Sequence, residues 1–329
     1  MEGKKTHFKF SPRTDLALEV QESMQEEITD GVDVQTDEND VSIITTVKIS
    51  TDTASEKMGK PKGTYITIES PLMKENDVSS HEEIISQIAK SINSLAKIDE
   101  SSSVLVIGLG NWNVTPDALG PKVVSKVLVT RHIFDTLPEE LSGGVKSLAA
   151  VSPGVMGITG IETQEIVKGI ANKVNPDLII AIDALAARKT SRINATIQMS
   201  DAGISPGAGV GNKRKELSKN TLGVPVIAIG IPTVVDAATL VNDAMDRILD
   251  DMIKASDESM GFYSTLKSLE DEEKYDLIYN ILSPYEENMF VTPKEVDEVI
   301  TRLSNIVANG INIAVHQGIH LEDMNKFIS

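Results

Sequence analysis

The chain of 329 residues has no cysteine, a single tryptophan and only 4% aromatic residues. Without cysteine there is no disulfide framework, thiol nucleophile or thiolate metal ligand, as expected of a protein kept in a reducing cytoplasm. No run approaches the roughly 18 apolar residues of a membrane-spanning helix, and residues 1–12 carry Lys4, Lys5 and Lys9 without the apolar stretch of a signal peptide. Neither secretion nor a membrane partner is expected. Basic residues are also in the minority: 31 Lys and Arg against 49 Asp and Glu leave a formal net charge of -18. Direct nucleic-acid binding is not expected of so acidic a chain, because phosphate contacts depend on clustered Lys and Arg. Histidine is scarce as well. His316 and His320 have the i, i+4 spacing of a zinc-protease helix, but Gln317 stands where the glutamate belongs and Gly318 weakens the helix, so both read as surface histidines. No metal site and no cofactor are expected.

What is present is a 40% apolar chain with enough material for a packed core. Apolar β-branched runs at residues 103–107, 145–151, 177–182 and 224–229 alternate with helical patterns at 122–129, 163–170 and 236–253. This βαβ alternation predicts an α/β fold, a mostly parallel sheet with helices on both faces. Residues 41–49 and 63–69 read as a peripheral hairpin joined by a mobile loop, and 255–289 as peripheral helical additions. In Thr292-Pro-Lys-Glu295 the pattern is that of a capping box, and Val296, Val299, Ile300, Leu303, Ile306 and Val307 then form the apolar stripe of a long C-terminal helix.

Chemistry concentrates in Gly108-Leu-Gly-Asn-Trp-Asn-Val-Thr-Pro-Asp-Ala-Leu-Gly120, between a buried strand and a helix start. Thr115 as N-cap and Pro116 at the first helical position put Asp117 in the first turn, at the carboxyl edge of the sheet where α/β proteins keep their sites. Asp183 follows directly on the apolar run 177–182. If the two strands are neighbours, both carboxylates open into one crevice, where they can share a proton so that one acts as acid while the other polarises water. Spacing alone leaves open that Asp117 only caps a helix and Asp183 only ends a strand. Asn111, Asn113 and the backbone of 154–157 are the candidate oxyanion donors.

Other motifs are weaker. Gly203-Ile-Ser-Pro-Gly207 has the serine-hydrolase spacing, but Pro206 lacks the backbone N–H that an oxyanion hole takes from the residue after the nucleophile. Gly207-Ala-Gly-Val-Gly-Asn-Lys213 departs from a phosphate loop at Asn212 and Arg214, and Gly108-Leu-Gly110 lacks the third glycine of a dinucleotide site.

Taken together, the segment 108–121, Ala150-Val-Ser-Pro-Gly-Val-Met-Gly-Ile-Thr-Gly160, Ile182-Asp-Ala-Leu-Ala-Ala-Arg188 and Gly230-Ile-Pro-Thr-Val-Val-Asp236 resemble the germination (spore) proteases of endospore-forming bacteria over nearly the whole chain. The resemblance implies a homotetrameric endopeptidase of the forespore and spore core that degrades small acid-soluble spore proteins, with Asp117 and Asp183 as its essential aspartates. It also implies a zymogen that cuts itself. The matching site is Asp15–Leu16 within Arg13-Thr-Asp-Leu-Ala-Leu-Glu19, which would make 1–15 a propeptide and 16–329 a single peptidase domain. The glycine-rich segment is also similar to hydrogenase-maturation endopeptidases, which implies the same α/β architecture, although no position matches their histidine metal ligand. A metal-guided peptidase of that kind, or a catalytically silent binding protein on the same scaffold, are the alternatives.

Overall fold

The structure is a computed structural model that describes residues 14–24, 30–99, 101–133, 144–208, 211, 214–255 and 289–318. In chain order the elements are α1 (Ala17–Ser23), β1 (Val32–Glu38), β2 (Ile43–Ile49), α2 (Asp52–Met58), β3 (Gly63–Glu69) and α3 (Val78–Leu95). They continue as β4 (Ser103–Gly108), α4 (Leu119–Val124), β5 (Ser147–Val151), α5 (Met156–Thr159), α6 (Thr163–Val174), β6 (Leu178–Ala187) and β7 (Thr196–Ser200). Last come α7 (Lys219–Leu222), β8 (Val226–Asp236), α8 (Ala237–Ala255), β9 (Phe290–Val291) and α9 (Val296–Val315). The strands make one sheet in the order β1-β2-β3-β7-β8-β6-β4-β5, with β9 added to the end of β8.

The expected α/β fold with both sheet faces covered is what forms, and the pairing within the sheet is mixed. Strands β8, β6, β4 and β5 are parallel to one another, while β1, β2, β3 and β7 are joined by antiparallel pairs that end on β8. The predicted hairpin, β2 with β3, therefore continues the same sheet through β7. Along β4 and β6 the side chains alternate between the two faces. Val104, Val106, Ile180 and Ile182 pack with Ile84, Ile88 and Ile92 of α3 and Leu303, Ile306, Val307 and Ile311 of α9. On the other face Leu105, Ile107, Ile179 and Ala181 meet Val167 and Ala171 of α6. The apolar stripe of the C-terminal helix is thus core.

Several local expectations are corrected. The linker between β2 and β3 is helical: Thr51 accepts the Ala54 N–H at 3.2 Å as N-cap, and Gly59 ends α2 in the left-handed conformation. The capping box before α9 does not form, because the Thr292 hydroxyl donates to the carbonyl of Thr233 on β8. His316 is fully buried, not on the surface. Its Nδ1 accepts the Lys146 N–H at 3.1 Å, which leaves Nε2 to donate to the Leu128 carbonyl, and burial lowers its pKa. His320 and residues 256–288 lie outside the described residues, whereas α8 occupies much of the helix expected at 236–253.

The glycine-rich motif is explained by close backbone approach. A Cβ at Gly120, the second residue of α4, would lie 2.3 Å from the Leu109 carbonyl oxygen and 2.7 Å from that of Ile182. Only hydrogen lets α4 settle on the end of β4 and the middle of β6. Gly120→Ala is expected to destabilise the fold by about 2 kcal/mol or more, since backbone atoms cannot yield as a side-chain tip can; urea denaturation measures it, and an unchanged midpoint would contradict the contact.

Candidate active site

The turn that carries Asp117 is built backwards from the sheet. At the end of β4 the Leu109 N–H donates to the Ile182 carbonyl at 2.8 Å, which ties the loop to β6. Gly110 then takes a φ of 109°, and a Cβ there would stand 2.0 Å from the Asp117 carbonyl oxygen. Asp117 closes a short 3-10 turn, Thr115–Asp117, with Pro116 in its first positions, and α4 begins only at Leu119. The expected N-cap at Thr115 is replaced by Val114, and the Thr115 hydroxyl donates to Asp297 of α9 at 2.8 Å. Thr233 on β8 holds the turn from the other side by donating to the Pro116 carbonyl at 2.7 Å. The Asn111 N–H donates to Asp117 Oδ2 at 2.8 Å.

Asp183 does not end its strand. It pairs with Gly230 in the middle of the contact between β6 and β8, and β6 runs on to Ala187. The tail Ala-Leu-Ala-Ala has the composition of a helix, yet pairing with β8 overrides that preference. Because β4 and β6 are adjacent and parallel, Asp117 and Asp183 both line one cavity of about 390 Å³. Asp183 is 5% exposed and has the Ala184 N–H on Oδ1 at 3.0 Å.

A third carboxylate shares this cavity, that of Asp15. The Asp15 N–H donates to the Ala186 carbonyl at 3.1 Å, and the Ala186 N–H returns a bond to Asp15 Oδ2 at 2.9 Å. Leu16 is fully buried with Leu185, Ala187 and Ile204. Ala17 donates its N–H to Gln198 Oε1 at 2.6 Å. Glu19, 2% exposed, accepts the N–H groups of Arg188 and Lys189 at 2.7 and 2.8 Å and a further bond from the Thr14 hydroxyl. Three residues on, Glu22 is gripped by both terminal nitrogens of Arg192, which also binds Glu69 at 2.6 Å. The stretch from Thr14 to Glu19 is held residue by residue against the extension of β6.

Burial pushes the Asp117 carboxyl up to about 6, opposed in part by the Asn111 N–H. Burial, followed by the charges of Asp117 and Asp15, raises Asp183 well above the ordinary carboxylate range. Asp183 is thus held further above the ordinary carboxylate range by its surroundings, and Asp117 has the Asn111 N–H to favour its ionised form. Such a pair can take a proton from water and give one to a leaving group. Among the described residues no group of three or more His, Cys, Asp or Glu side chains converges as a metal site would, and no helix is long and apolar enough to cross a membrane.

The sequence profile of a family described as germination protease matches residues 13–262 and 249–328. The germination protease of Clostridium tetani is 48% identical over 322 residues, 97% of this chain and all of that protein. That of Bacillus cereus is 44% identical over 359 aligned positions, with 97% of each chain covered. This chain belongs to the germination protease family. It is accordingly a peptidase with a protease role in spore germination, and its substrates are proteins. A [NiFe] hydrogenase maturation protease, HycI from Thermococcus kodakarensis, also aligns, at 16% identity and a TM-score of 0.30 over 64% of this chain and 92% of that one.

Set beside the family's motifs, the structure brings Asp15, Asp117 and Asp183 together, with Gly154, Val155 and Met156 of the candidate oxyanion backbone lining the same cavity. Asn111 spends its N–H on Asp117, and the Asn113 N–H turns back to the Asn111 side chain at 3.0 Å. Trp112 is 57% exposed. Sequence reasoning missed Lys60, Gln198 and Arg192, which surround residues 14–19 from α2, β7 and the turn after β6. For Lys60 a signal existed, since the Thr51 cap and Gly59 stop mark α2 and place Lys60 at its end; nothing in the sequence marks the other two.

A group with a raised carboxyl pKa contributes its stability below the ordinary value of 3.8 and loses it as pH rises through about 6. Asp117→Asn is thus expected to be more stable than the parent above pH 6 by on the order of 2 kcal/mol, a gain that vanishes in acid. Urea denaturation across pH reads this. In the same variant Asp183 should titrate lower by carboxyl NMR, because one of the two charges facing it is gone; an unchanged titration would show that the two groups do not interact.

Proposed function

We propose that this protein is an aspartic-type endopeptidase made as a zymogen, with residues 1–15 as propeptide and the remainder as one peptidase domain. It cuts its own Asp15–Leu16 bond and then small acid-soluble spore proteins in the cytoplasm of the forespore and spore core, as a homotetramer. The observation that carries the reading is the seating of the intact Asp15–Leu16 peptide beside Asp183, with Asp15 lining the cavity that also holds Asp117. A bond placed there is a substrate in position, and a chain whose own segment fills the site is silent toward other proteins until that segment is cut. The high local concentration of an intramolecular segment, of millimolar order, enforces this order of events.

In this reading Asp117, ionised near neutrality, accepts a proton from the attacking water, and Asp183, kept protonated by burial and by its neighbours, supplies one to the departing Leu16 nitrogen. The pH dependence follows. Seating an acidic segment against Asp183 is easier when charge in the cavity is reduced, so self-cleavage quickens as pH falls from the alkaline side, then slows below about 6 as Asp117 gains its proton.

Purified wild-type protein is expected to shorten itself to a chain beginning at Leu16, read by N-terminal sequencing and mass, and then to cut a small acid-soluble spore protein at defined bonds. Asp117→Asn and Asp183→Asn should each remain folded and lose at least 10³-fold in rate, a loss of the kind seen when one partner of a proton-transfer pair is removed. Leu16→Lys should fail to process, because it would bury an ammonium among Leu185, Ala187 and Ile204. Ser205→Ala should process normally. Self-trimming to Leu16 by the Asp183→Asn protein would overturn the carboxylate mechanism, and a spore protein bound but left intact by the wild type would point to a binding protein.

A further inference from the structure

The bond that the proposed reaction breaks has its carbonyl held by two side chains. The Asp15 carbonyl oxygen accepts from Lys60 Nζ at 2.8 Å and from Gln198 Nε2 at 3.2 Å. Lys60 Nζ bonds the preceding carbonyl, that of Thr14, at 3.3 Å. The orientation of the Gln198 amide is determined by its other end. Its Oε1 takes the Ala17 N–H at 2.6 Å, so its NH₂ faces the Asp15 oxygen. Gln198 is 9% exposed in β7, opposite Gly230, which itself pairs with Asp183. Lys60, Gln198, Asp15 and Asp183 line a second cavity of about 190 Å³, so Asp183 borders the peptide's surroundings on both sides.

We propose that Lys60 and Gln198 are the oxyanion-binding pair of this peptidase, catalytic residues that touch the reacting carbonyl. The inference rests on the reading that Asp117 and Asp183 cleave Asp15–Leu16. When the oxygen of water bonds to the Asp15 carbonyl carbon, its proton passes to Asp117 and the carbonyl π pair moves onto oxygen. The oxygen then bears a full negative charge. Lys60 meets it with an ammonium and Gln198 with a dipole already aimed at it, so both bonds strengthen as the charge develops. As the carbonyl re-forms, the bond from carbon to the Leu16 nitrogen breaks and that nitrogen takes the proton from Asp183. Water and peptide have become the Asp15 carboxyl and the Leu16 amine.

The placement also accounts for the two kinds of donor. Gln198 is bound at both ends to residues on either side of the scissile bond, and so aligns the chain as well as the oxygen. Lys60 binds the carbonyl oxygens of Thr14 and Asp15 and supplies the charge. A peptide from another protein laid along the same path would present its carbonyl to the same two groups.

The test is single-turnover self-cleavage of the purified full chain, wild type against Lys60→Met, Lys60→Arg and Gln198→Leu, followed by mass. Lys60→Met should slow cleavage by 10²- to 10³-fold, the usual loss for one oxyanion donor, and Lys60→Arg should recover at least tenfold of it. The fall in rate below pH 6 should keep its midpoint in Lys60→Met, because the titrating carboxyl is untouched. A merely structural Lys60 is detected separately. In an Asp183→Asn background, amide hydrogen exchange at Ala17 reports whether the segment stays seated, and Lys60→Met is expected to leave that protection unchanged. Lys60→Met cleaving within threefold of wild type, or losing Ala17 protection, would overturn the assignment. Residual cleavage by Asp183→Asn alone would count against the carboxylate pair instead, and the comparison of Lys60 variants in the otherwise wild-type chain would still decide the role of Lys60.

Discussion

A carboxyl group in the middle of a buried β-strand is expensive to ionise, and the site is arranged around that fact. Asp183 has neighbours from β8 on one side and the end of β4 on the other, with the Ala184 N–H on its side chain. An exposed aspartate at a strand end would lie near its ordinary pKa and could hold no proton at neutral pH. Burial favours a proton on Asp183 and the less buried Asp117 ionises more readily, and on this difference in environment the proposed division of two identical side chains into acid and base rests. The charge of Asp15 pushes in the same direction, so the segment proposed as substrate favours a proton on Asp183.

Bringing Asp117 to that buried group requires unusual closeness between backbones. The loop after β4 has to turn within a few residues, and α4 has to lie on the carbonyls of Leu109 and Ile182. Gly110 and Gly120 make this possible by omission of a side chain, while Thr233 and Asp297 fasten the 3-10 turn from β8 and α9. Support from β6, β8 and α9 holds the turn rigid, as the proposed proton transfer requires.

Much of this was legible in the sequence, for reasons that can be stated residue by residue. The parallel core strands are continuous apolar runs covered on both faces, and α9 keeps its stripe at helical spacing, so periodicity located them. The Gly-rich turn and the aspartate after an apolar run pointed to Asp117 and Asp183 because strand ends are where α/β sheets open. What failed were features set by tertiary pairing. The end of β6 is Ala-Leu-Ala-Ala, helical by preference and extended by its contact with β8. His316 looked exposed because nothing local shows that the Lys146 and Leu128 backbone satisfies its ring. Lys60 and Gln198 meet at the Asp15 carbonyl from positions 138 residues apart, and no local pattern encodes such a meeting.

In the proposed reaction the contacts around residues 14–19 divide by when they act. Leu16 in its apolar pocket and Glu19 on two backbone N–H groups are equally satisfied before and during reaction, so they contribute affinity and register without lowering the barrier. A carbonyl oxygen is different, since its charge grows as water adds. Donors placed on it are worth more in the transition state than in the resting peptide, and only they, with the two carboxyl groups, can turn a tightly held segment into a rapidly cut one. Tight seating without them would make residues 14–19 an inhibitor of the site they occupy.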